Sequence, residues 1–309
     1  MNAFGSRASV SSQRTLMPAA RVPARWATGA MVPVIALCAA TGLHATQTTA
    51  QVPLAPLIPA AGDQAPAPWR AVGFPKKQAP LPMTQFVAAS VDGQRALQIR
   101  TASSYGTLVH DWSGPAGTLA WRWRLDEPLA GGSAGPSLTT KAGDDAALKV
   151  CVMFEHALDQ VPFVERTVLR LARSVSGEAL PAATLCYVWD TGSDKPLQGA
   201  NPYTRRVRYI SLQTRTTPLA QWKAESRDVA RDFITLFGDE LPGGADAPVS
   251  AVPPVKAVVI GADSDNTGSR SMGWMAQVQW KPAAGAAIGT NVDPGSSAAN
   301  TSPPIANRP

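Results

Sequence analysis

Two short acidic segments carry the residues best suited to chemistry in this sequence. GDD, residues 143–145, precedes one predicted strand, and DSDNTG, residues 263–268, follows another. Hard cations such as Ca²⁺ need several oxygen ligands close together, and an Asp-x-Asp-x-x-Gly turn can supply them. The second segment matches the first half of an EF-hand loop, but Trp274 stands where that loop needs a bidentate Glu, which excludes an EF-hand. The candidate metal ligands are Asp263, Asp265 and Asn266.

Whether these two segments form a cation site depends on the fold. If both lie at one end of the molecule, they can hold Ca²⁺ together. The alternative is that their Asp and Asn side chains cap their own turns through hydrogen bonds to the backbone, which these residue types do well. The sequence leaves both interpretations open.

Tryptophan is unusually frequent, since the chain has nine tryptophans against seven phenylalanines and four tyrosines. An exposed indole offers a sugar ring a large apolar face together with one hydrogen-bond donor. Four tryptophans lie on the apolar faces of predicted strands, and we expect them in the core: Trp121, Trp123, Trp274 and Trp280. Trp69, at the edge of the predicted domain, and Trp112, in a predicted loop, are expected to be exposed. The candidate ligand-binding residues are Trp112, Asp144 and Asp145.

Catalytic arrangements find little support in the sequence. Outside the N-terminal 45 residues the histidines are His110 and His156, and no Gly-x-Ser-x-Gly elbow is present, which disfavours serine hydrolase chemistry. Two histidines and two separated cysteines lack the spacing of a zinc site. Nothing in the sequence places two carboxylates at the separation that a glycosidase pair requires. The acidic candidates for such a pair are Asp144, Asp145, Glu155, Glu225, Asp228 and Asp232.

The formal net charge of +6 comes largely from residues 1–45, which hold four arginines and no acidic residue. The rest of the chain is about +2, so a clustered basic face for nucleic acid is not expected. A basic region followed by an apolar run indicates a signal peptide over residues 1–45, with synthesis starting at Met1 or Met17. The run is short and interrupted by Gly and Pro, which argues against a membrane span. We therefore expect a periplasmic or secreted protein.

Composition divides the remaining chain into three parts. Residues 46–68 hold five prolines and no aromatic or basic residue, which predicts a flexible, disordered linker. Residues 281–309 consist mainly of small and polar residues without aromatics, which predicts a low-complexity disordered tail. Residues 69–280 lie between them, and a domain of this length buries enough surface to fold without a disulfide.

Within this central part, alternating apolar and polar residues predict strands, and a 3.6-residue period predicts helices over residues 163–175 and 225–237. In the first helix Arg166, Arg170 and Arg173 form a separate stripe, which we interpret as a solvated face or as a surface for an anionic glycan or membrane. Many short strands with about two helices predict a mostly β fold, namely a two-sheet antiparallel β-sandwich with jelly-roll-like topology. The predicted strands are residues 95–100, 118–125, 147–154, 184–189, 205–212, 254–262 and 274–280.

Cys151 and Cys186 each lie in the middle of a predicted strand. Export permits oxidation, so the two cysteines can form a disulfide if their strands are neighbours. If the strands are not neighbours, both are small buried apolar residues. The sequence does not supply the Cα separation that a disulfide requires, so this pairing stays open.

Several segments carry a resemblance to a known family. LAWRWRL, GDDAALKVCVMF, LCYVWD and VVIGADSDNTG, followed by WMAQVQW, together resemble the bacterial Domain of Unknown Function 3047 family over about residues 84–280. The resemblance implies an exported, mostly β domain and carries no established activity. The order of strands and the late helix also resemble galactose-binding-type jelly rolls, which is an analogy of fold and not of function.

Together these observations predict an exported, non-catalytic β-sandwich that binds a glycan or another ligand of the cell envelope, with Ca²⁺ as a candidate support. Two alternatives stay open. One is a carbohydrate-active enzyme that uses an Asp/Glu pair, and the other is a structural or partner-binding protein of the envelope.

Overall fold

The computed structural model describes residues 53–74, 81–130, 135–176 and 179–281. The predicted signal peptide and nearly all of the predicted C-terminal tail lie outside these residues. In chain order the elements are β1 (Arg70–Val72), β2 (Gln85–Val91), β3 (Gln94–Ala102), β4 (Tyr105–Gly114), β5 (Thr118–Glu127), β6 (Leu148–Phe154), α1 (Phe163–Ser176), β7 (Ala183–Trp189), β8 (Gln198–Ala200), β9 (Val207–Gln213), β10 (Lys223–Asp228), α2 (Val229–Phe237), β11 (Val255–Asp263) and β12 (Arg270–Lys281).

The strands form two sheets. The seven-stranded sheet has the order β1-β4-β11-β6-β7-β9-β8, and the five-stranded sheet has the order β10-β5-β12-β3-β2. Neighbouring strands are antiparallel, except that β7 and β9 run parallel. The late strands β11 and β12 each insert between strands formed much earlier in the chain. The predicted mostly β, two-sheet antiparallel sandwich with two helices is confirmed.

Strict alternation of residue type explains how the two sheets bury their inner faces. In β5 and β7 every second side chain points inward and is at most 1% exposed, and all of them belong to the main hydrophobic cluster. Trp123 of β5 meets Trp189 of β7 with ring centroids 5.6 Å apart, so tryptophans from both sheets contact each other across the core. These inward residues are Leu119, Trp121, Trp123, Leu125, Leu185, Tyr187 and Trp189.

Strand β12 departs from the predicted alternation. Its pattern predicts Trp274, Ala276, Val278 and Trp280 on one face, and this prediction is wrong. The pairing of β12 with β5 shifts between Ala276 and Gln279, and Gln277 adopts a φ of 53°. A bulge adds one residue and moves every later side chain to the other face. Trp274 and Ala276 therefore lie on the outer face of the five-stranded sheet, whereas Val278 and Trp280 join the core.

Helix α2 starts later than predicted. Residues 225–228 extend β10 instead, and Asp228 caps the helix by accepting a hydrogen bond from the Arg231 backbone N–H. A carboxylate in this position satisfies one of the free donors of the first turn. The apolar stripe of α2 is buried as its periodicity predicts, with Val229, Phe233 and Phe237 fully enclosed.

Helix α1 forms where it was predicted, but it packs with its charged side inward. Arg173 donates hydrogen bonds to the Leu180 carbonyl oxygen, and Arg166 donates to the Asp159 carbonyl oxygen, so these two side chains are half-buried. The interpretation of the arginine stripe as a solvated face holds only for Arg170, which is exposed. Neither helix in the described part of the chain is both long enough and apolar enough to cross a bilayer.

The segment predicted as a flexible linker contacts the sandwich over residues 53–68. Leu57 is 3% exposed and belongs to the main core cluster. The Ala55 backbone N–H donates to His110 Nε2, and the Ala55 carbonyl accepts from the Trp69 indole. A proline-rich segment without aromatic residues can therefore still be ordered, because its few apolar side chains fill a surface already built by the sheets.

Cys151 and Cys186 form a disulfide. Their strands β6 and β7 are antiparallel neighbours, and the two cysteines lie directly opposite each other with Cα atoms 4.0 Å apart. Both are almost fully buried in an apolar cluster on the outer face of the seven-stranded sheet. The pairing that the sequence leaves open is thus decided by strand order.

Candidate functional site

The two acidic segments meet at one end of the seven-stranded sheet. Asp263 ends β11, and Asp145 lies just before β6, which is the antiparallel neighbour of β11. One carboxylate oxygen from each of Asp145, Asp263 and Asp265 lies within 4.8 Å of the other two. We call these three residues the Asp triad. The condition that the sequence sets for a shared cation site, namely that the two loops meet, is therefore fulfilled.

The backbone of each acidic segment requires a glycine. A Cβ on Gly143 would lie 2.6 Å from the Gly135 carbonyl oxygen, so any side chain there would displace the backbone. Gly268 adopts a φ of +64°, a left-handed conformation that residues with a Cβ rarely adopt. The glycines of GDD and DSDNTG are thus explained by backbone geometry.

Asp145 holds the second loop in place. Its Oδ1 accepts from the Asn266 backbone N–H at 3.2 Å, and its Oδ2 accepts from the backbone N–H and the hydroxyl of Thr267 at 2.7 and 2.6 Å. This carboxylate caps a turn, but it does not cap its own turn as the alternative interpretation of the acidic segments predicts. Because its bonds run to the neighbouring segment and not to its own turn, it also joins the two loops.

Asp263 is paired with the positive charge at the base of the site. Its Oδ2 accepts from Lys149 Nζ, and its Oδ1 accepts from the Ala146 backbone N–H at 2.8 Å. The Lys149 ammonium also lies 5.2 Å from the centroid of the Tyr105 ring. Burial would lower the pKa of Lys149, but the charge and hydrogen bond of Asp263, together with Tyr105 and Asp144, outweigh burial and raise it, so the lysine stays charged.

The two remaining carboxylates are not fully stabilised as anions. Burial raises the pKa of Asp144 to about 7, although a hydrogen bond from Asn201 Nδ2 opposes the change. Burial, together with the charges of Asp263 and Asp145, raises the pKa of Asp265 to about 6. Asp265 Oδ1 is buried without a hydrogen-bond partner among the described residues. The cluster therefore has more carboxylates than its own positive charge can neutralise.

Tyr203 is a residue of this site that sequence reasoning missed. Its hydroxyl donates to Asn266 Oδ1 at 2.8 Å, its side chain is 56% exposed, and the Lys141 ammonium lies 5.3 Å from its ring centroid. Asn266 Nδ2 in turn donates to the Asp144 carbonyl oxygen at 3.1 Å. Nothing in the local sequence around a loop tyrosine indicates that it belongs to a site. The structure thus places an exposed aromatic ring beside the carboxylates, and we call the whole group, listed here, the acidic site: the Asp triad, Asp144, Asn266 and Tyr203.

The predicted exposure of Trp112 and Trp69 is wrong, because each is 5% exposed. Trp112 lies in β4 and not in a loop, and the alternation of that strand turns it into the core. Its ring packs on Trp280 with centroids 4.4 Å apart. Trp69 is covered by the segment around Ala55. Its ring packs edge-on against that of His110, with ring centroids 5.0 Å apart. Neither indole presents a free face to a sugar.

The residues considered for catalysis have structural partners. His110 Nε2 accepts from a backbone N–H, so the ring is not available as a general base for a nearby serine. Asp232 accepts from the Tyr187 hydroxyl and from Arg227. Glu225 accepts from the Trp123 indole and the Gln213 amide. These carboxylates hold strands and helix α2 together.

Comparison with known proteins places the chain in a family. A family model described as "Protein of unknown function (DUF3047)" matches residues 67–279, well over half of the sequence. The chain belongs to this family. The resemblance stated from the sequence is confirmed, and both acidic segments of this DUF3047 protein lie within the matched range.

Other comparisons are more distant. A search of curated protein sequences gives no match. Among solved structures, the DUF3047 chain is similar to that of TmCBM61 in complex with β-1,4-galactotriose, at 11% identity and a TM-score of 0.28. That alignment covers 70% of this chain and 89% of the other. We draw no functional argument from a likeness of this size.

Proposed function

We propose that this DUF3047 protein is an exported, non-catalytic binding protein whose acidic site binds a glycan with the help of Ca²⁺. The observation that carries the proposal is the Asp triad, in which two separate loops bring three carboxylate oxygens within 4.8 Å of one another. The arrangement allows both interpretations of the loops, cation binding and turn capping, because Asp145 caps a turn while Asp265 Oδ1 has no hydrogen-bond partner among the described residues.

The charge balance of the acidic site supports a cation. Four carboxylates face one ammonium, that of Lys149, and the pKa values of Asp144 and Asp265 rise to about 7 and about 6 as a result of burial and mutual repulsion. A divalent ion at the triad would offset this repulsion and favour the ionised forms. The available ligand atoms are all oxygens, which suits a hard cation such as Ca²⁺ and not a soft one.

The surroundings of the triad support a polyhydroxylated ligand. Tyr203 offers an exposed aromatic ring on which a sugar ring can stack, and hydrogen bonds with Asn201 and Asn266 hold it beside the carboxylates. A bound cation can also accept two adjacent sugar hydroxyls as ligands in place of water. The proposal therefore retains Asp144 and Asp145 from the sequence prediction and replaces Trp112 with Tyr203.

The disulfide supports export. Such bonds form and persist in oxidising compartments and are rare in the cytosol of most organisms. Cys151 and Cys186 are bonded inside an apolar cluster, which is typical of a structural disulfide. Together with the basic and apolar N-terminal sequence, this supports a periplasmic or secreted location.

Thermal unfolding with and without calcium tests the cation. The purified protein is unfolded first in EDTA and then with millimolar Ca²⁺. At 100 times the dissociation constant a single site stabilises by about 2.7 kcal/mol, which corresponds to a shift of several degrees. Asp265→Asn should abolish the shift, whereas Asp246→Asn, which removes an exposed acid elsewhere, should leave it unchanged. An identical shift in both variants, or none in the wild type, would remove the cation from the proposal.

Glycan binding requires its own measurement. Titration of the calcium-loaded protein with neutral oligosaccharides, followed by intrinsic fluorescence, should show binding that EDTA abolishes. Tyr203→Ala should lose the glycan and keep the calcium shift, because its ring is exposed and contributes no carboxylate. If no glycan binds while calcium does, the acidic site is a structural calcium site.

A structural or partner-binding role in the envelope is the second candidate. The burial of Trp112 and Trp69 favours it, since neither indole is available to a sugar. The capping bonds of Asp145 also favour it, because they would exist without any ligand. If Ca²⁺ does not raise the unfolding temperature in the experiment above, this role is favoured over glycan binding.

A further inference from the structure

Helix α1 exposes an unusual amount of apolar surface. Eight large hydrophobic side chains are exposed among the described residues, and four of them lie on this helix, where they are 62–72% exposed. Val164, Val168 and Leu171 follow a spacing of four and three residues, and Phe163 lies next to them at the start of the helix, so all four lie on one side of α1. We call this side the apolar face of α1, and its residues are Phe163, Val164, Val168 and Leu171.

The opposite side of the helix is held firmly to the domain. Leu169 is 5% exposed and packs with Val161 and Ala182. Glu165 forms ion pairs with Arg206, which is buried, and with Arg205 at 2.9 Å. A rotation that buried the apolar face would break these bonds and expose Leu169. The outward direction of the apolar face is therefore part of the fold.

The charges of α1 indicate what covers that face. The helix carries three arginines and one acidic residue, Glu165, whose carboxylate is already occupied by two arginines of the domain. Arg170 is exposed beside the apolar face, and the Arg166 guanidinium lies 5.7 Å from the Phe163 ring. An apolar stripe with the exposed Arg170 at its border matches the interface of an anionic lipid layer, where the apolar side chains insert and the guanidinium group meets a headgroup.

A second copy of the chain fits this face less well. It would bring the same positive border against itself, which is unfavourable. Four side chains also fall far short of the roughly 20–30 residues that each partner contributes to a stable interface. We propose that α1 docks this protein on the surface of an anionic membrane, lying in the plane of the interface without crossing it.

Flotation with lipid vesicles tests the proposal. The purified protein is mixed with vesicles of phosphatidylglycerol and phosphatidylcholine, and separately with vesicles of phosphatidylcholine alone. We expect binding to the anionic vesicles that weakens with salt and is several-fold lower on the neutral ones. Val168→Asp should lower the partition coefficient by about tenfold or more, since it removes an inserting side chain and adds a like charge to the lipid.

Matched variants separate docking from folding. Val249→Asp places the same charge on a valine that is 47% exposed outside α1, and it should bind as the wild type does. Asp265→Asn should also bind vesicles normally, so failure of the proposed calcium site and failure of membrane docking are distinguishable. Unfolding temperatures of Val168→Asp and Val249→Asp should stay close to that of the wild type, because both valines are exposed.

Three results would overturn the proposal. The first is equal flotation of the wild type and Val168→Asp. The second is an absence of binding to anionic vesicles. The third is a dimer, seen in sedimentation velocity, that forms with rising protein concentration and is dissociated by Val168→Asp, while no vesicle binding occurs. This result would show that a second copy of the chain covers the apolar face of α1.

Discussion

Replacing Asp144 with asparagine should stabilise the calcium-free protein at neutral pH. Burial raises the pKa of this carboxyl to about 7 from 3.8, so its ionised form is less favourable in the folded protein than in the unfolded chain. Asparagine has the same shape and still offers an oxygen to the Asn201 amide, which donates to Asp144 Oδ2. The substitution thus removes the unfavourable charge while keeping the hydrogen bond.

The size of the effect follows from the pKa and depends on pH. The folded state binds more protons than the unfolded state between pH 3.8 and about 7, so the wild type loses stability as pH rises through this window. The full difference of about 3 pKa units corresponds to about 4 kcal/mol, and partial exposure of the side chain to solvent reduces this to about 2 kcal/mol. At pH 5 the destabilisation of the wild type by Asp144 has reached only about 1.2 of these pKa units, which corresponds to about 0.8 kcal/mol after the same reduction for solvent exposure.

Urea unfolding of both proteins in EDTA at pH 5 and pH 8 measures this difference. Asp144→Asn should be more stable than the wild type at both pH values, with the larger advantage at pH 8. Saturating Ca²⁺ should shrink the advantage, because a bound ion stabilises the wild-type carboxylate. An advantage that is equal at the two pH values, or a variant that is less stable at pH 8, would refute the claim that burial of the Asp144 charge is unfavourable.

Two further predictions concern the scaffold. Cys151→Ala/Cys186→Ala should lower the free energy of unfolding by about 3–4 kcal/mol, the loop-closure value for a separation of 35 residues, and an unchanged urea midpoint would contradict it. Glu240→Gln should cost about 3 kcal/mol at pH 7, since it leaves the buried Arg206 and Arg208 without their shared carboxylate. Burial would raise the pKa of Glu240, but hydrogen bonds from Arg206 and His156 lower it to about 2. The stabilisation by Glu240 is therefore fully present above about pH 4.5 and is lost as the pH falls towards 2. A difference in the free energy of unfolding between variant and wild type that persists at pH 2 would argue against it.

Strands with an unbroken period of two were predictable from the sequence. β5, β6 and β7 turn their inward residues to the core as the alternation indicates, because both sheets bury one face completely. The alternation of β12 failed at Gln277, since a bulge depends on the partner strand and leaves no mark on residue type. β4 was missed around Trp112 because His110 and Asp111 make the segment resemble a polar loop.

The orientation of α1 could not be read from its own sequence. Periodicity shows that a helix has an apolar side, but the partner of each side is decided by the rest of the fold. Here the Glu165 pairs and the Arg173 bond to the Leu180 carbonyl draw the charged side inward. A helix whose apolar side faces outward and a helix whose apolar side packs on the core therefore show the same 3.6-residue periodicity in their sequences.

The acidic site was predictable in part. Both segments that form the Asp triad were recognised from the sequence. Their proximity was not predictable, because it depends on the strand order that places β6 beside β11. Lys149 and Tyr203 were not predicted as members, because one is a polar residue within a strand and the other lies in a distant loop. Long-range neighbours of this kind become visible only once the sheets are assembled.

The disulfide between β6 and β7 has a consequence for the helix that lies between its two cysteines. The backbone leaves the sheet after β6, forms α1 and returns as β7, and the Cys151–Cys186 bond closes this excursion into a covalent ring. A protease that cuts the chain once inside the ring opens the backbone without dividing the molecule. The two fragments stay covalently joined until a reductant is added, so a cut in the surface around α1 does not release the strands that carry the rest of the sheet.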